Sequence, residues 1–268
     1  MLTDTDVERW LREDVGHHDV TNHVPGETEG RLVAKESGVA AGLEAATAVF
    51  DYLGVAVETP VDAGERIDPG DVVLRTDGPA RETLRGERVA VNLVGHASGV
   101  ATTTRRAVEA ARAVDGDVRI ACTRKTTPGL RGIEKRAVAA GGGDTHRLDL
   151  SHTVMVKDNH VAEMGLEGAV DHFRERASFT TKIEVEVETP ETAPEAAAAG
   201  ADIVLLDNMS PAEIERAVDL VDGPVLTEAS GGITVADVPD YAGTGVDVIS
   251  MGALTHSAPT LDLSFRTG

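Results

Sequence analysis

The chain is short of the residues that staple, span or attract polyanions. Cys122 is the only cysteine in 268 residues, which excludes an intrachain disulfide and points to a reducing, cytoplasmic setting. No apolar run approaches the ~18 residues that cross a bilayer. The opening segment MLTDTDVERWLRED has neither the basic nor the apolar region of a secretory leader. Lysine is scarce as well: Lys35, Lys125, Lys135, Lys157 and Lys182 are all of them. With 25 basic against 46 acidic residues the formal net charge is -21, a surface that repels nucleic acid and anionic membranes. Such a surface fits a halophilic protein, because concentrated salt screens the mutual repulsion.

What is present is enough to build a core. Hydrophobic residues make up 41% of the chain, and its length suits one large domain or two modest ones. Two regimes follow one another. Up to about residue 100, short apolar runs are broken by Gly, Pro and Asp, a spacing that predicts short antiparallel strands around a few helices. A helix is predicted from Asp4 or Thr5 over VERWLRED. A longer helical stretch is predicted from Arg81, long enough to be two helices, with Gly95 and Gly99 as weak points. From about residue 118 the β-branched runs VRIAC, TVMVK, KIEVEV, DIVLL, PVLTE and DVIS alternate with helical stretches. That alternation predicts βαβ units, a parallel sheet and hence an α/β fold, with a βα barrel preferred over an open doubly wound sheet.

The polar clusters fall in register on that rhythm. Thr123, Arg124 and Lys125 follow the first strand, Lys157 the second, and Glu186 lies near the end of the third. Asp207 ends the fourth, Ser230, Gly231 and Gly232 follow the fifth, and Met251, Gly252 and Ala253 the sixth. Strand C-terminal ends are where barrel enzymes build their sites. The segment 124–157 concentrates cations in an anionic chain, His146 and Arg147 among them, with Arg124, Lys125 and Lys157 at strand ends, which suggests a multiply charged anionic substrate. Arg131, Lys135 and Arg136 are instead expected on a solvated helix face, pairing with Glu134. The small-residue loops 230–232 and 251–253 suit a phosphate, which backbone N–H groups bind at close approach. Glu186 and Asp207 beside cations suit ribose hydroxyls, a magnesium-bound diphosphate or an oxocarbenium-like centre. In KIEVEVE the ordinary reading of Glu184, Glu186 and Glu188 is a wet acidic strand face; in a barrel they would line the interior. His17, His18 and His23 fit no common zinc spacing and read as a solvated loop, and Cys122 as a small core residue.

These segments also resemble a known family. TRKTTPGLR (123–131), GGGDTHRLDL (141–150), VMVKDNH (154–160), IEVEVE (183–188), LLDNM (205–209), ASGGI (229–233) and MGALTH (251–256) are similar to quinolinate phosphoribosyltransferases. LREDVGHHDVT and ERVAVNLVGHASGVAT extend the likeness over almost the whole chain. The resemblance implies an N-terminal α/β sandwich over 1–105, with residues 256–268 packing back on it, and an incomplete seven-stranded βα barrel over 106–255. It implies a homodimer, or an assembly of dimers, with sites between subunits. Carried over, Lys125, Lys157, Glu186 and Asp207 form the catalytic group. Thr123, Arg124, His146 and Arg147 join them around quinolinate, and Arg88 enters from the partner subunit. Magnesium arrives with phosphoribosyl pyrophosphate near Glu186 and Asp207, with no direct protein ligand. Ser230, Gly231, Gly232, Met251, Gly252 and Ala253 take the 5′-phosphate. The implied activity is decarboxylating phosphoribosyl transfer to quinolinate in de novo NAD biosynthesis. The alternatives are a relative of the same fold acting on another aromatic acid such as nicotinate, or a non-catalytic anion-binding barrel. The chain departs from the family in its HHD loop and at His96, where many members carry arginine.

Overall fold

The computed structural model describes residues 2–268. The chain divides into two compact units, one comprising 1–105, 127–142 and 258–268, the other 106–126 and 143–257.

The first unit opens with α1 (Asp4–Val15), whose N-terminus is closed by a capping box between Thr3 and Asp6. Strands β1 (Glu27–Ala34), β2 (Gly38–Val39), β3 (Ala56–Glu58), β4 (Arg66–Ile67) and β5 (Val72–Pro79) follow, with α2 (Leu43–Tyr52) between β2 and β3. Next come α3 (Ala80–Arg112), which runs on into the second unit, and α4 (Arg131–Gly141); β12 (Leu263–Thr267) closes the chain. The main sheet is antiparallel in the order β12-β1-β5-β3, and β2 pairs with β4. Leu32, Phe50, Ile67, Leu74, Val94 and Leu261 are buried together in its core.

The structure decides one expectation and corrects another. The long helical stretch is not two helices: α3 is one helix of 33 residues. Its glycines serve close approach, since a β-carbon on Gly99 would lie 1.9 Å from the Pro259 carbonyl oxygen. Nor is α4 a solvated face at all its charges. Glu134 and Lys135 are buried, and only Arg136 is exposed, pairing with Glu44 at 2.8 Å. Glu134 accepts hydrogen bonds from the Thr127 backbone N–H (3.1 Å) and meets His96 Nε2 at 2.8 Å. His17, His18 and His23 are exposed, as their loop reading implied.

The second unit alternates strand and helix. Its strands are β6 (Arg119–Cys122), β7 (Val154–Val156), β8 (Ile183–Val187), β9 (Ile203–Asp207), β10 (Leu226–Ser230) and β11 (Val248–Met251). Between and after them lie α5 (Asp158–Met164), α6 (Leu166–Arg174), α7 (Ala193–Ala198), α8 (Pro211–Leu220), α9 (Val238–Ala242) and α10 (Ala253–His256). All six strands pair in parallel in the order β6-β11-β10-β9-β8-β7, the α/β arrangement read from the alternation. Beyond β6 the place of a further strand is taken by a single parallel bridge, Ala121 to Asp144. Three glycines, Gly141–Gly143, precede Asp144 and give a strand nothing to pack. Among the described residues no helix is long and apolar enough to cross a membrane.

Candidate active site

Every strand of the parallel sheet delivers a side chain to one cleft. It holds about 380 Å³ and is lined by Cys122, Thr123, Arg124, Lys125, His146, Arg147, Met155, Lys157, Glu186, Leu205, Asp207, Glu228, Ser230 and Ser250. Nine of the residues singled out in the sequence therefore meet on one surface, although they come from six separate stretches of chain.

Local bonds fix the loops that carry them. Thr123 Oγ1 accepts the Lys125 backbone N–H at 3.0 Å, and Thr255 Oγ1 donates to the Lys125 carbonyl at 2.7 Å. Thr255 is buried at the head of the unit and ties the loop after β6 to α10. Gly252 lies between: a β-carbon there would sit 3.0 Å from Lys125 Cδ. After β9, Asn208 takes a left-handed backbone (φ 57), and its Nδ2 donates to Asp207 Oδ2 at 2.6 Å. Its backbone N–H donates to the Ser230 carbonyl at 2.9 Å, locking the loops after β9 and β10 together.

The electrostatics are those of an anion pocket with acid at one edge. Arg124 Nε is buried and has no hydrogen-bond partner. An orphaned guanidinium donor is costly unless a ligand completes it. Burial depresses the pKa of Arg147, with the Arg124 charge adding to the effect and Glu184 opposing it. Lys157 Nζ and Glu186 Oε2 form a close ion pair. Burial and the neighbouring Glu186 raise the pKa of Asp207, while Lys157 and Lys125 pull it down. Oxygen donors on Glu186 and Asp207 are of the kind magnesium takes.

The remaining predicted residues lie elsewhere. Gly231 and Gly232 (φ 106 and 64) turn the chain after β10, and Met251 ends β11 with its side chain in the core. Gly252 and Ala253 begin α10. Arg88 projects from α3 in the first unit, its side chain 60% exposed, with Glu87 at 3.9 Å.

Two acids carry no assigned role from the sequence: Glu184 reads only as part of a strand face that turns inward in a barrel, and Glu228 not at all. Glu184 and Glu228 are buried, and both lie beside His146. Alternation in KIEVEV placed Glu184 on the same face as Glu186, which was the available signal; TVMVK and PVLTE offered none that separates Met155 or Glu228 from ordinary strand residues.

Comparison with known proteins agrees along the whole chain. Residues 18–98 match the quinolinate phosphoribosyl transferase N-terminal domain, and residues 100–266 its C-terminal domain. A protein of Methanothermobacter thermautotrophicus named probable nicotinate-nucleotide pyrophosphorylase [carboxylating] is 46% identical over 270 residues, covering 97% of both chains. The human nicotinate-nucleotide pyrophosphorylase [carboxylating] is 44% identical over 97% of this chain and 90% of its own. The crystal structure of NadC from Streptococcus pyogenes superposes with a TM-score of 0.90 at 42% identity, covering 99% of this chain and 97% of that one. With both domain models matched in order and relatives this similar over nearly their full length, the chain belongs to the quinolinate phosphoribosyl transferase family.

Proposed function

We propose that the chain transfers the phosphoribosyl group of phosphoribosyl pyrophosphate to the ring nitrogen of quinolinate, with loss of carbon dioxide. The products are nicotinate mononucleotide and pyrophosphate, a pentosyl transfer of NAD biosynthesis. The observation that carries this reading is the cleft itself. In a chain of net charge -21, Arg124, Lys125, His146, Arg147 and Lys157 line one surface, and Arg124 offers a buried donor with no protein partner. So many cations suit a dicarboxylate better than nicotinate with its single carboxylate.

Each group then has a task. Arg124, Arg147, His146 and Lys157 hold the two carboxylates, and Arg88 completes the pocket from a partner subunit in a homodimer. Backbone N–H groups at Ser230–Gly232 and Met251–Ala253 take the 5′-phosphate. Glu186 and Asp207 face the ribose, where their charge favours an oxocarbenium-like C1. Lys125 neutralises the diphosphate as it departs. Magnesium brought by the diphosphate would be held near Asp207 and Glu186 without a direct protein ligand, and when bound it offsets the charge on departing pyrophosphate. As the bond from C1 to pyrophosphate breaks, the ring nitrogen supplies the electrons for the new bond. The resulting pyridinium accepts the electron pair left when the adjacent carboxylate departs, and the ring carbon then takes a proton. Positioning and charge neutralisation suffice, with no covalent nucleophile. A cytoplasmic setting fits this reading, with Cys122 the only cysteine.

The test is to supply phosphoribosyl pyrophosphate, magnesium and quinolinate labelled in the carboxylate beside the ring nitrogen. Labelled carbon dioxide and nicotinate mononucleotide are expected in equal amounts, with nicotinate turned over at least about a hundredfold more slowly. Folded protein that releases none, or that uses nicotinate as readily, would sink the assignment.

A further inference from the structure

Two acids beside His146 have no part in the reaction above. Glu184 on β8 and Glu228 on β10 are 0% and 2% exposed, deep beneath a pocket built for anions. Carboxylates so placed weaken anion binding unless they act through something else. His146 stands between them. Its Nε2 lies 3.0 Å from Glu228 Oε2 and 3.7 Å from Glu184 Oε1, and neither oxygen of Glu184 has a hydrogen-bond partner.

The ring is placed there deliberately. His146 takes a left-handed backbone (φ 50), unusual for a side chain larger than glycine, and Asp144 Oδ1 accepts its backbone N–H at 2.7 Å. With Nε2 given to the carboxylates, Nδ1 is the nitrogen left for a ligand in the cleft. Its protonation decides what that ligand can be. A neutral ring with its proton on Nε2 presents a lone pair at Nδ1 and repels a carboxylate; the imidazolium presents an N–H and binds one.

The charges facing the ring divide by sign. Glu184 and Glu228 face it from β8 and β10, while Asp144 holds the backbone N–H of the same residue. Arg147 follows it in the chain, near enough to Arg124 after β6 that each feels the other's charge. Lys157 and Glu186, at the ends of β7 and β8, pair with each other. Burial alone works against a charged imidazole, but the two glutamates outweigh it and push its pKa up to about 10. A divalent cation bridging His146, Glu184 and Glu228 is the competing use of this trio, the ligand types being suitable. Arg147 and Arg124 alongside make added positive charge the poorer fit.

We propose that Glu228 and Glu184 are positioning residues that keep His146 doubly protonated, so that its Nδ1–H is a permanent donor to the second carboxylate of an aromatic diacid. This rests on the reading of the cleft as a quinolinate site. An unassisted histidine loses its charge near neutrality, so quinolinate binding would otherwise weaken across the physiological range. The two buried acids remove that sensitivity.

Nuclear magnetic resonance of the full chain with isotope-labelled histidine reads the ring directly, with a His146→Asn sample identifying its signals. Both ring nitrogens should be protonated in the wild type at pH 8, and Glu228→Gln should bring the midpoint down into the neutral range. In turnover, the ratio of variant to wild-type KM for quinolinate should rise about tenfold between pH 6 and pH 8.5, as loss of one protonated donor implies. Glu228→Asp should restore most of the flat profile. A loosened fold would raise KM at all pH values alike and would not be rescued this way. A wild-type ring that is neutral at pH 8 overturns the proposal without any variant having to fold. A folded Glu228→Gln whose His146 stays protonated overturns it too. So does zinc binding to the wild type that is lost in Glu228→Gln, since it assigns the trio to a metal. If quinolinate is not a substrate at all, only the turnover arm fails, and the spectra still decide the state of the ring.

Discussion

Gly231 and Asn208 occupy each other's space at the end of the sheet. A β-carbon on Gly231 would lie 2.3 Å from Asn208 Oδ1 and 2.6 Å from its backbone nitrogen, at a φ of 106°. Asn208 in turn holds Asp207, so a side chain at 231 pushes on both the phosphate loop and the acid beside it. Gly232 has φ 64° and open space around it. Gly231→Ala should therefore cost about 2–3 kcal/mol in stability and raise KM for phosphoribosyl pyrophosphate. Gly232→Ala should cost only about 1 kcal/mol. Denaturant melts of the two variants check the contrast, and equal midpoints would contradict it.

Lys157 bridges chemistry and charge balance more than it holds the fold. Its side chain is 44% exposed, so the pair with Glu186 contributes less than about 1 kcal/mol. Lys157→Met should leave the melting point nearly unchanged while kcat/KM falls by about a hundredfold or more. A second signature follows from Asp207. Lys157 is one of the charges that keeps its already raised pKa from rising further. Without it, Asp207 stays protonated to higher pH, so the acid limb of the activity profile should move upward. An unmoved limb would separate Lys157 from Asp207 in function.

Much of this site could be read from spacing because barrel geometry puts chemistry just past strand ends. Arg124, Lys125, Lys157, Glu186, Asp207 and Ser230 all lie there and all line the cleft. Glu184 was legible only as one of two readings, and Glu228 escaped, because a carboxylate inside a strand looks like one on a wet face until both faces are known to be buried. Glu134 and Lys135 misled in the same way. One turn of helix shows which residues share a face but not what covers it. Gly95 and Gly99 read as helix weak points because propensity says nothing of a second segment needing to pass close by. The resemblance implies a seventh barrel strand, but beyond β6 the Gly141–Gly143 run is followed only by a bridge at Asp144. Arg88 was placed by family likeness alone, and no local pattern could have done it.

The acidic surface makes its own prediction. At a net charge of -21, with 46 acidic residues against 25 basic ones, repulsion is spread widely over the chain. We expect the fold to be salt-dependent: screening tightens from about 10 Å at 0.1 M to about 3 Å at 1 M. Each kcal/mol of relieved repulsion should appear as a rise of about 2–4 °C in the melting point of a domain of this size. Thermal melts across a potassium chloride series measure it. A midpoint flat from dilute buffer to molar salt would leave the halophilic reading without support.

Arg88 should act across a subunit boundary. It stands on α3 with a surface partner too weak to define a task, and the cleft lining is complete within the second unit without it. A cleft open at strand ends needs cover to keep water from an oxocarbenium-like centre, and a second copy can supply both cover and a cation. Two-fold symmetry then makes two equivalent composite sites. Arg88→Ala and Lys125→Ala homodimers should each be nearly inactive. Refolded together in equal amounts, half of the dimers are mixed, and each mixed dimer has one undamaged site and one doubly damaged site. Activity should return to roughly a quarter of wild type. If subunit exchange is demonstrated and the mixture stays inactive, Arg88 serves its own chain or none.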